Sequence, residues 1–429
     1  MFRVIASAWP LLLGCGMLML GNGLQNSLLG IRASLEGFET TTTGIIMSGY
    51  YVGFLAGSTL TPKIVANVGH VRVFSALASL ASAAVLLHAV FVNPYSWVAM
   101  RVVTGFCYAG IYVVAESWLN ERATNETRGQ LLSVYMVVLL GDLALGQLLL
   151  NLAPPDGFIL FVVASVLISL AMVPIALTAG PAPAFQAPSR VSPWSLYKLS
   201  PLGLVGCCLV GMAHGTLFGM GAVYGDRVGM SLTGISLFMG IVTMGGVIFQ
   251  WPIGRLSDRY DRRRVIIITA FLASGLAVAT IAAHSFSLVL FLACTLVYGG
   301  MTLPLYSLCL AHTNDYLTPA QIVPASGTLV LMGGVGAIFG PPLAAQVMGF
   351  AGPEGFFMTL CVIHGVIGLF GLYRMTVRDS KPLDEQGPTL PMASGATAAT
   401  TELSSQTMLD QASEAEEGGA PSEEDRASP

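Results

Sequence analysis

The sequence predicts an all-α polytopic membrane protein with twelve transmembrane helices arranged as two pseudo-symmetric six-helix bundles. Its 429 residues are 54% hydrophobic and only 10% charged, and so little charge would not cover the surface of a soluble protein of this length. Apolar stretches of about 20 residues recur, and each can cross a bilayer core of about 30 Å. The basic residues lie almost entirely in the short connections between these stretches.

The spans follow in chain order from the apolar stretches and the polar breaks that separate them. The expected ranges are 7–29, 43–66, 72–92, 96–119, 129–151, 157–178, 201–224, 234–254, 265–284, 287–311, 323–349 and 354–374. The first apolar run continues past residue 20 without a clear cleavage site of small residues. We therefore interpret it as an uncleaved first helix and not as a signal peptide.

Composition divides the chain into four parts. Residues 1–178 hold the first bundle of six spans, and residues 201–375 hold the second. Residues 179–200 are rich in Pro, Ala and Ser and are expected to form a cytoplasmic linker. Residues 376–429 are expected to be a disordered acidic tail, because they are rich in Ala, Ser, Thr and Glu and almost lack bulky apolar residues.

The distribution of Lys and Arg predicts the orientation of the chain. With the N-terminus inside, 16 of the 19 basic residues fall in cytoplasmic segments, as the positive-inside rule requires. Both termini are therefore expected in the cytoplasm.

The two halves carry a weak internal repeat. Gly146 in helix 5 and Gly340 in helix 11 are 194 residues apart. Gly57 precedes Gly254 by 197 residues, and each lies near the end of its helix. Two homologous halves with six helices each are the usual architecture of an alternating-access transporter.

The most specific motif is a charged loop between spans 8 and 9, with the sequence G-R-L-S-D-R-Y-D-R-R-R over Gly254–Arg264. It resembles the loop signature of the major facilitator superfamily. Arg101-Val-Val-Thr-Gly105 in helix 4 resembles that family's R-x-x-x-G motif, and residues 115–129 resemble the bacterial YcaD-like branch. The resemblance covers about residues 1–375 and implies a secondary active transporter in the bacterial cytoplasmic membrane.

The resemblance also implies a cytoplasmic gate. Asp258 would bond to the start of helix 11 and to neighbouring arginines, and Gly254 would allow two helices to approach. The first half lacks the matching aspartate near Thr61-Pro62. The expected gate residues are Gly254, Asp258, Arg259, Arg262 and Arg263, with Glu121 and Arg128 in loop 4–5. The alternatives are a loop that only sets topology and an ordinary solvated Glu121–Arg128 pair.

Polar residues inside the spans are candidates for solute binding or coupling, because burying them in lipid is costly. Helix rise places five of them in the outer-to-middle layer of the first half. The expected cluster consists of Asn22, Gln25, Asn26, Arg101 and Asp142, with Arg101 and Asp142 able to pair. The alternative is a polar clamp that only holds helices 1, 4 and 5 together.

His214 in helix 7 is the candidate of the second half. It lies near mid-membrane by residue count, and an imidazole titrates near neutral pH, which suits proton exchange. The alternative is a histidine that packs or hydrogen-bonds within a Gly-rich helix.

Several function classes are excluded by the sequence. It has no H-E-x-x-H, no nucleotide-binding loop and no zinc-type cysteine spacing, so we expect no enzyme, metal or cofactor. Basic residues form no continuous face for nucleic acid. The expected function is transport of a small solute by a monomer, with proton coupling through Asp142 or His214 left open. The alternative is a membrane sensor or scaffold that kept the fold and lost transport.

Overall fold

The computed structural model describes residues 2–122, 127–177, 191–379, 381–382, 386–387 and 389. Its α-helices in these ranges are α1 (Phe2–Leu35), α2 (Thr40–Val68), α3 (His70–Val90), α4 (Pro94–Arg122), α5 (Arg128–Leu148), α6 (Ile159–Leu170), α7 (Met172–Ala176), α8 (Pro193–Leu199), α9 (Pro201–Arg227), α10 (Leu232–Arg259), α11 (Arg262–Phe286), α12 (Leu288–Thr302), α13 (Leu305–Asn314), α14 (Pro319–Ala351) and α15 (Gly355–Val377). Most of the predicted linker and of the predicted acidic tail lies outside the described residues.

The helices confirm the predicted all-α polytopic fold. Within the described ranges, ten helical segments are long and apolar enough to span a membrane. The helices α1 and α2, 34 and 29 residues long, pack with them and complete the set of twelve. Two spans are interrupted, α6–α7 near Pro174 and α12–α13 at Leu303-Pro304, because proline lacks the N–H that a continuous helix needs.

The helices pack as two groups. In the first, α2 packs on α4, α1 on α5, and α3 on α4 and α6; in the second, α9 packs on α14, α10 on α12, and α11 on α15. We call the end of the helices that carries loop 254–264 the basic end, and the opposite end the distal end. The bounds of the two groups remain a prediction from the sequence.

The two groups contact each other along their distal halves, through α1–α9, α2–α14 and α5–α10. The Ser48 hydroxyl on α2 donates to the Ile338 carbonyl on α14 over 2.6 Å. Near the distal end of α5, the Asn151 amide donates to the Ser236 hydroxyl on α10 over 3.0 Å. The distal side of the molecule is therefore closed by direct contacts between the bundles.

Glycines set the closest helix contacts, and these contacts repeat between the halves. A Cβ on Gly105 would lie 1.9 Å from the Tyr50 carbonyl oxygen, and a Cβ on Gly299 would lie 1.9 Å from the Val242 carbonyl oxygen. Both therefore require glycine. Residues of α2 and α10 correspond at an offset of 192, and residues of α4 and α12 at an offset of 194.

The same two offsets relate the contact between α1 and α5 to the contact between α9 and α14. A Cβ on Gly146 would lie 2.4 Å from the Leu20 carbonyl oxygen, and a Cβ on Gly340 would lie 2.2 Å from the Met212 carbonyl oxygen. The predicted match of Gly146 with Gly340 therefore corresponds to one contact made twice. Two such helix pairs with one offset pattern indicate two halves of common architecture.

The other predicted glycine match does not follow this pattern. Gly57 packs against the backbone of Phe106 on α4. At the offset of 192 its counterpart is Phe249, and the glycine of that contact is Gly300 on the opposite helix. A Cβ on Gly254 would meet only Thr389, at 3.8 Å. Gly254 therefore mediates no helix approach in this conformation, contrary to the expectation.

Candidate functional site

A central cavity of about 140 Å³ lies between the two bundles, on the basic side of the distal contacts. Both bundles line it. The lining residues are Met19, Asn22, Asn26, Tyr50, Tyr51, Phe54, Tyr112, Met136, Leu139, Leu140 and Leu143 from the first half, and Gly211, His214, Phe218, Gln250, Leu303, Val330, Gly333, Gly334 and Ala337 from the second. No Asp, Glu, Lys or Arg of the described residues is among them.

The lining follows the internal repeat. The three lining residues of α1 correspond at an offset of 192 to those of α9, and the four of α5 correspond at an offset of 194 to those of α14. Asn22 thus corresponds to His214. The cavity lies where the pseudo-symmetric halves meet, which is where transporters built from repeats bind solutes.

Arg101 on α4 is buried behind the first-half wall of this cavity. It is 2% exposed, and both of its terminal nitrogens donate to the Asn26 amide oxygen over 3.2 Å. Its guanidinium also lies over the Tyr50 ring, 4.5 Å from the centroid, in a cation–π contact. Within the part of the chain that the structure describes, no carboxylate lies within 4.0 Å of Arg101. A buried cation of this kind attracts negative charge toward Asn26 and Tyr50.

Asn22 and Gln25 are the remaining predicted polar residues of α1. Asn22 is buried and lines the cavity, and its amide oxygen has no partner among the described residues. Gln25 is fully buried and does not line the cavity, and neither amide atom has a described partner. The amide oxygen of Asn22 is therefore available to a hydrogen-bond donor of a solute, whereas the structure gives Gln25 no contact with the cavity.

Asp142 does not join this cluster. The expected contact with Arg101 is not formed, and Asp142 packs against α1 at Gly16, where an added Cβ would lie 2.5 Å from its carboxylate. Gly16 is ten residues, or about 15 Å of helix rise, nearer the basic end than Asn26. The predicted depths were counted from the end of each helix separately, and these ends do not lie at one level. Arg101 and Asp142 are therefore at different depths, and the predicted pair does not form.

His214 on α9 is held by a defined chain of hydrogen bonds. Its Nε2 lies 3.1 Å from the Thr302 carbonyl oxygen, at the break between α12 and α13. A carbonyl only accepts, so Nε2 carries the proton and the neutral ring keeps a bare Nδ1. That Nδ1 has no described partner. The Thr302 hydroxyl in turn donates to His364 Nε2 over 2.7 Å, and His364 Nδ1 donates to the Leu360 carbonyl over 2.7 Å.

Glu116 is a buried acid that the candidate set omitted. It is 1% exposed and accepts a hydrogen bond from the Tyr135 hydroxyl over 3.1 Å. It lies one helical turn from Tyr112, which lines the cavity. The sequence placed the end of this helix at residue 119, whereas α4 continues to Arg122. The shorter helix had made Glu116 look closer to the membrane surface.

At the basic end, the charged loop forms a buried ionic network centred on Arg262. Its Nη1 lies 2.7 Å from both carboxylate oxygens of Asp315, which follows α13, and its Nη2 lies 3.3 Å from Asp258. The Nε donates to the Ser257 hydroxyl over 2.9 Å. Burial raises the pKa of Asp315 to about 6, although Arg262 beside it acts in the opposite direction.

Residues of the C-terminal segment complete this network. Gly387 accepts a hydrogen bond from Arg262 over 2.5 Å and donates to Asp315 over 3.1 Å. The Thr389 backbone N–H donates to Asp258 over 2.9 Å. The described contacts of Asp258 are therefore with the loop and the C-terminal segment, and not with the start of α14, where the family resemblance had placed its partner.

The remaining predicted gate residues lie around this network. Arg263 is 6% exposed, contacts Asp261 at 3.4 Å and donates to the Arg378 carbonyl over 2.6 Å. Arg259 is exposed. The side chains of Glu121 and Arg128 lie outside the described residues. No group of three or more His, Cys, Asp or Glu in the described ranges is placed to hold a metal ion.

Comparison with known proteins supports one family. A family model described as Major Facilitator Superfamily matches residues 11–251 and 228–409. An uncharacterized MFS-type transporter of Enterobacter sp. (strain 638) is 28% identical over 342 residues, which cover 79% of this chain and 88% of that protein. The uncharacterized MFS-type transporter YcaD of Escherichia fergusonii is 29% identical over 341 residues, with the same coverage of each chain.

Solved structures share the fold. The nucleoside transporter NupG has a TM-score of 0.72 at 15% identity and covers 87% of this chain and 99% of its own. A bacterial homolog of the human lysosomal transporter Spinster, in an inward-facing and occupied conformation, has a TM-score of 0.67 at 13% identity and covers 87% of this chain and 97% of its own. At these identities the likeness concerns the fold alone.

Proposed function

The chain belongs to the Major Facilitator Superfamily, and we propose that it is a secondary active transporter that moves a small solute by alternating access through the central cavity. The observation that carries this proposal is the lining of the cavity. Equivalent positions of α1 and α9, and of α5 and α14, face one space. A solute bound there would contact both bundles and could be carried as one bundle rocks against the other.

The charges around the cavity support a neutral or anionic solute over a cation. The described lining carries no ionisable carboxylate, and the Arg101 guanidinium lies directly behind Asn26 and Tyr50. In a medium of low dielectric constant this positive charge would repel a cation strongly. The bare Nδ1 of His214 and the amide oxygen of Asn22 would accept hydrogen bonds from the solute.

The Arg262 network supports a gate at the basic end. Loop 254–264 and Asp315 are joined by charges that are mostly removed from water, so opening and closing this end would require their rearrangement. We propose that Asp258, Arg259, Arg262 and Arg263, with Gly254 in the same loop, take part in that rearrangement, and that Glu121 and Arg128 act in the first half.

The proposal extends to coupling and orientation. The basic end would face the cytoplasm of a bacterium, with both termini inside and the protein acting as a monomer in the cytoplasmic membrane. Proton coupling would use His214, which lines the cavity, or Asp142, which would act through the packing of α5 on α1.

The test begins with solute profiles of cells that express wild type, Arg101→Gln or Arg72→Gln in a strain without its own copy. Arg72 is an exposed arginine at the basic end and serves as the control. Some solutes will change in concentration across the membrane in cells that express wild type or Arg72→Gln, but not in cells that express Arg101→Gln. These solutes are then tested for uptake by proteoliposomes.

Uptake that requires Arg101 supports the proposal. If wild type changes no solute gradient and Arg101→Gln rescues the phenotype of the deletion strain, transport is refuted and a sensor or scaffold role is favoured.

A further inference from the structure

A second recess lies at the basic end, apart from the central cavity, where α8, α9, α11, α13 and α15 meet. Its polar lining consists of Ser200, Arg263, His312, Tyr316, Arg374 and Arg378. Three arginines and a histidine thus surround one small space. Of its polar lining residues, only Arg263 also belongs to the proposed gate.

Two of these arginines keep their positive charge uncompensated by a carboxylate. In the described part of the chain, no carboxylate lies within 4.0 Å of Arg374 or Arg378. Arg378 donates to the Leu199 carbonyl over 2.9 Å and lies over the Tyr316 ring, 4.2 Å from the centroid. These contacts fix the guanidinium while leaving other N–H groups available to an anion. The nearby Asp315 is already engaged by Arg262.

Two further observations indicate a ligand. His312 is 5% exposed and lines the recess, and its ring makes no hydrogen bond to another described residue. The 27-residue helix α9 begins here at Pro201, and the Ser200 side chain does not cap it. The first N–H groups of such a helix bind anions, because they carry partial positive charge and have no helical partner.

We propose that this recess binds the phosphate group of an anionic ligand. Guanidinium groups and a helix N-terminus are the donors that phosphate prefers in proteins. The recess borders side chains of the outer surface, since Leu199 is 36% and Tyr373 58% exposed. A phospholipid headgroup could therefore reach it from the bilayer, and a free phosphate ion could reach it from the adjoining water. Both present the same chemistry.

The test uses the full-length protein in nanodiscs of phosphatidylcholine, with or without phosphatidylglycerol, and with or without inorganic phosphate. Phenylglyoxal modifies accessible guanidinium groups, and peptide mass spectrometry measures the rate at each arginine. We expect phosphatidylglycerol to slow modification of Arg374 and Arg378 about tenfold, as for groups held by a phosphate. Arg264, whose side chain is 70% exposed, serves as the internal control and should change far less.

A variant pair tests the same site independently. Native mass spectrometry of Arg374→Gln/Arg378→Gln should show phosphatidylglycerol binding weakened about tenfold or more, because two cationic contacts are lost. Arg72→Gln/Arg264→Gln removes the same charge at the same end and should bind like wild type.

Protection by inorganic phosphate alone, equal to that by the lipid, supports the site with a free ion as the occupant. Protection by the lipid alone identifies the headgroup. Equal modification rates under all conditions, or unchanged lipid binding by Arg374→Gln/Arg378→Gln, would overturn the proposal. The labelling arm uses wild type, so it remains decisive if the double variant does not fold.

Discussion

Replacing Gly105 with alanine should break the packing of α4 on α2. The added methyl group would lie 1.9 Å from the Tyr50 carbonyl oxygen, whereas non-bonded heavy atoms of this size rest at about 3.5 Å. The helices would have to separate by more than about 1 Å along their whole contact. Overpacking of this degree costs about 3 kcal/mol of unfolding free energy. Gly299→Ala should cost a similar amount, because its Cβ would meet the Val242 carbonyl at 1.9 Å.

Gly275→Ala is the matched control. Gly275 lies in α11 with no atom within 4 Å of an added Cβ, so the substitution should stabilise the helix by up to about 1 kcal/mol. The assay is equilibrium unfolding of purified protein in detergent, followed by tryptophan fluorescence. The reasoning is refuted if Gly105→Ala and Gly299→Ala unfold at the same midpoint as Gly275→Ala. If only one of Gly105→Ala and Gly299→Ala lowers the unfolding free energy, the equivalence of the two halves is contradicted.

The remaining predictions concern the cavity and the Arg262 network. Arg101→Gln should slow uptake of the solute in proteoliposomes about tenfold or more, because a charge-assisted contact is lost, while Arg101→Lys retains part of it; equal rates for both would contradict a role for the charge. The pKa of Asp315 is raised to about 6 from an ordinary 3.8, so the folded state gains stability as pH falls. Between about pH 7 and pH 5 the unfolding free energy of wild type should rise by about 1.4 kcal/mol relative to that of Asp315→Asn. The measurement is the denaturant midpoint of each protein as a function of pH. If the two midpoints change equally with pH, the prediction is wrong. Ser257→Cys/Thr389→Cys should form a disulfide under mild oxidation, because the hydroxyls of Ser257 and Thr389 lie 3.2 Å apart. Peptide mass spectrometry would detect the disulfide, and Arg72→Cys/Thr389→Cys is the control. Similar disulfide yields from both pairs would argue against the contact.

The sequence predicted the fold well because length and apolarity decide membrane spans locally. It also identified Gly146 and Gly340 as equivalent, since both stand at a backbone contact that only glycine allows. It failed for Gly57 and Gly254, because in the second half the small residue of the corresponding contact lies on the partner helix, at Gly300. A repeat of contacts is thus better preserved than a repeat of residue types.

The candidate site was less predictable, because it depends on how the helices are rotated and shifted along their axes. Counting residues placed Asn26, Arg101 and Asp142 in similar layers. Arg101 does contact Asn26, but Asp142 lies beside Gly16, about 15 Å of helix rise away. The hydrogen bond of His214 to Thr302 could not be predicted either. It needs the Thr302 carbonyl, which becomes available where the span is interrupted at Pro304. Neither signal is present in hydropathy or spacing.

The repeat also explains the shape and chemistry of the cavity. The positions of the second half that correspond by the repeat to Met19, Leu139 and Leu140 are glycines, at 211, 333 and 334. The open volume therefore lies against the second half, while the buried cation belongs to the first. A solute in that volume would lie beside His214 with Asn22, its counterpart, across from it. Exchanging the two side chains in Asn22→His/His214→Asn would keep both groups in the cavity. The imidazole would then lie on α1, away from the Thr302 carbonyl that orients it in wild type. If orientation by Thr302 matters, this exchange should weaken uptake of the solute about as much as His214→Ala does; wild-type uptake by the exchanged variant would show that it does not.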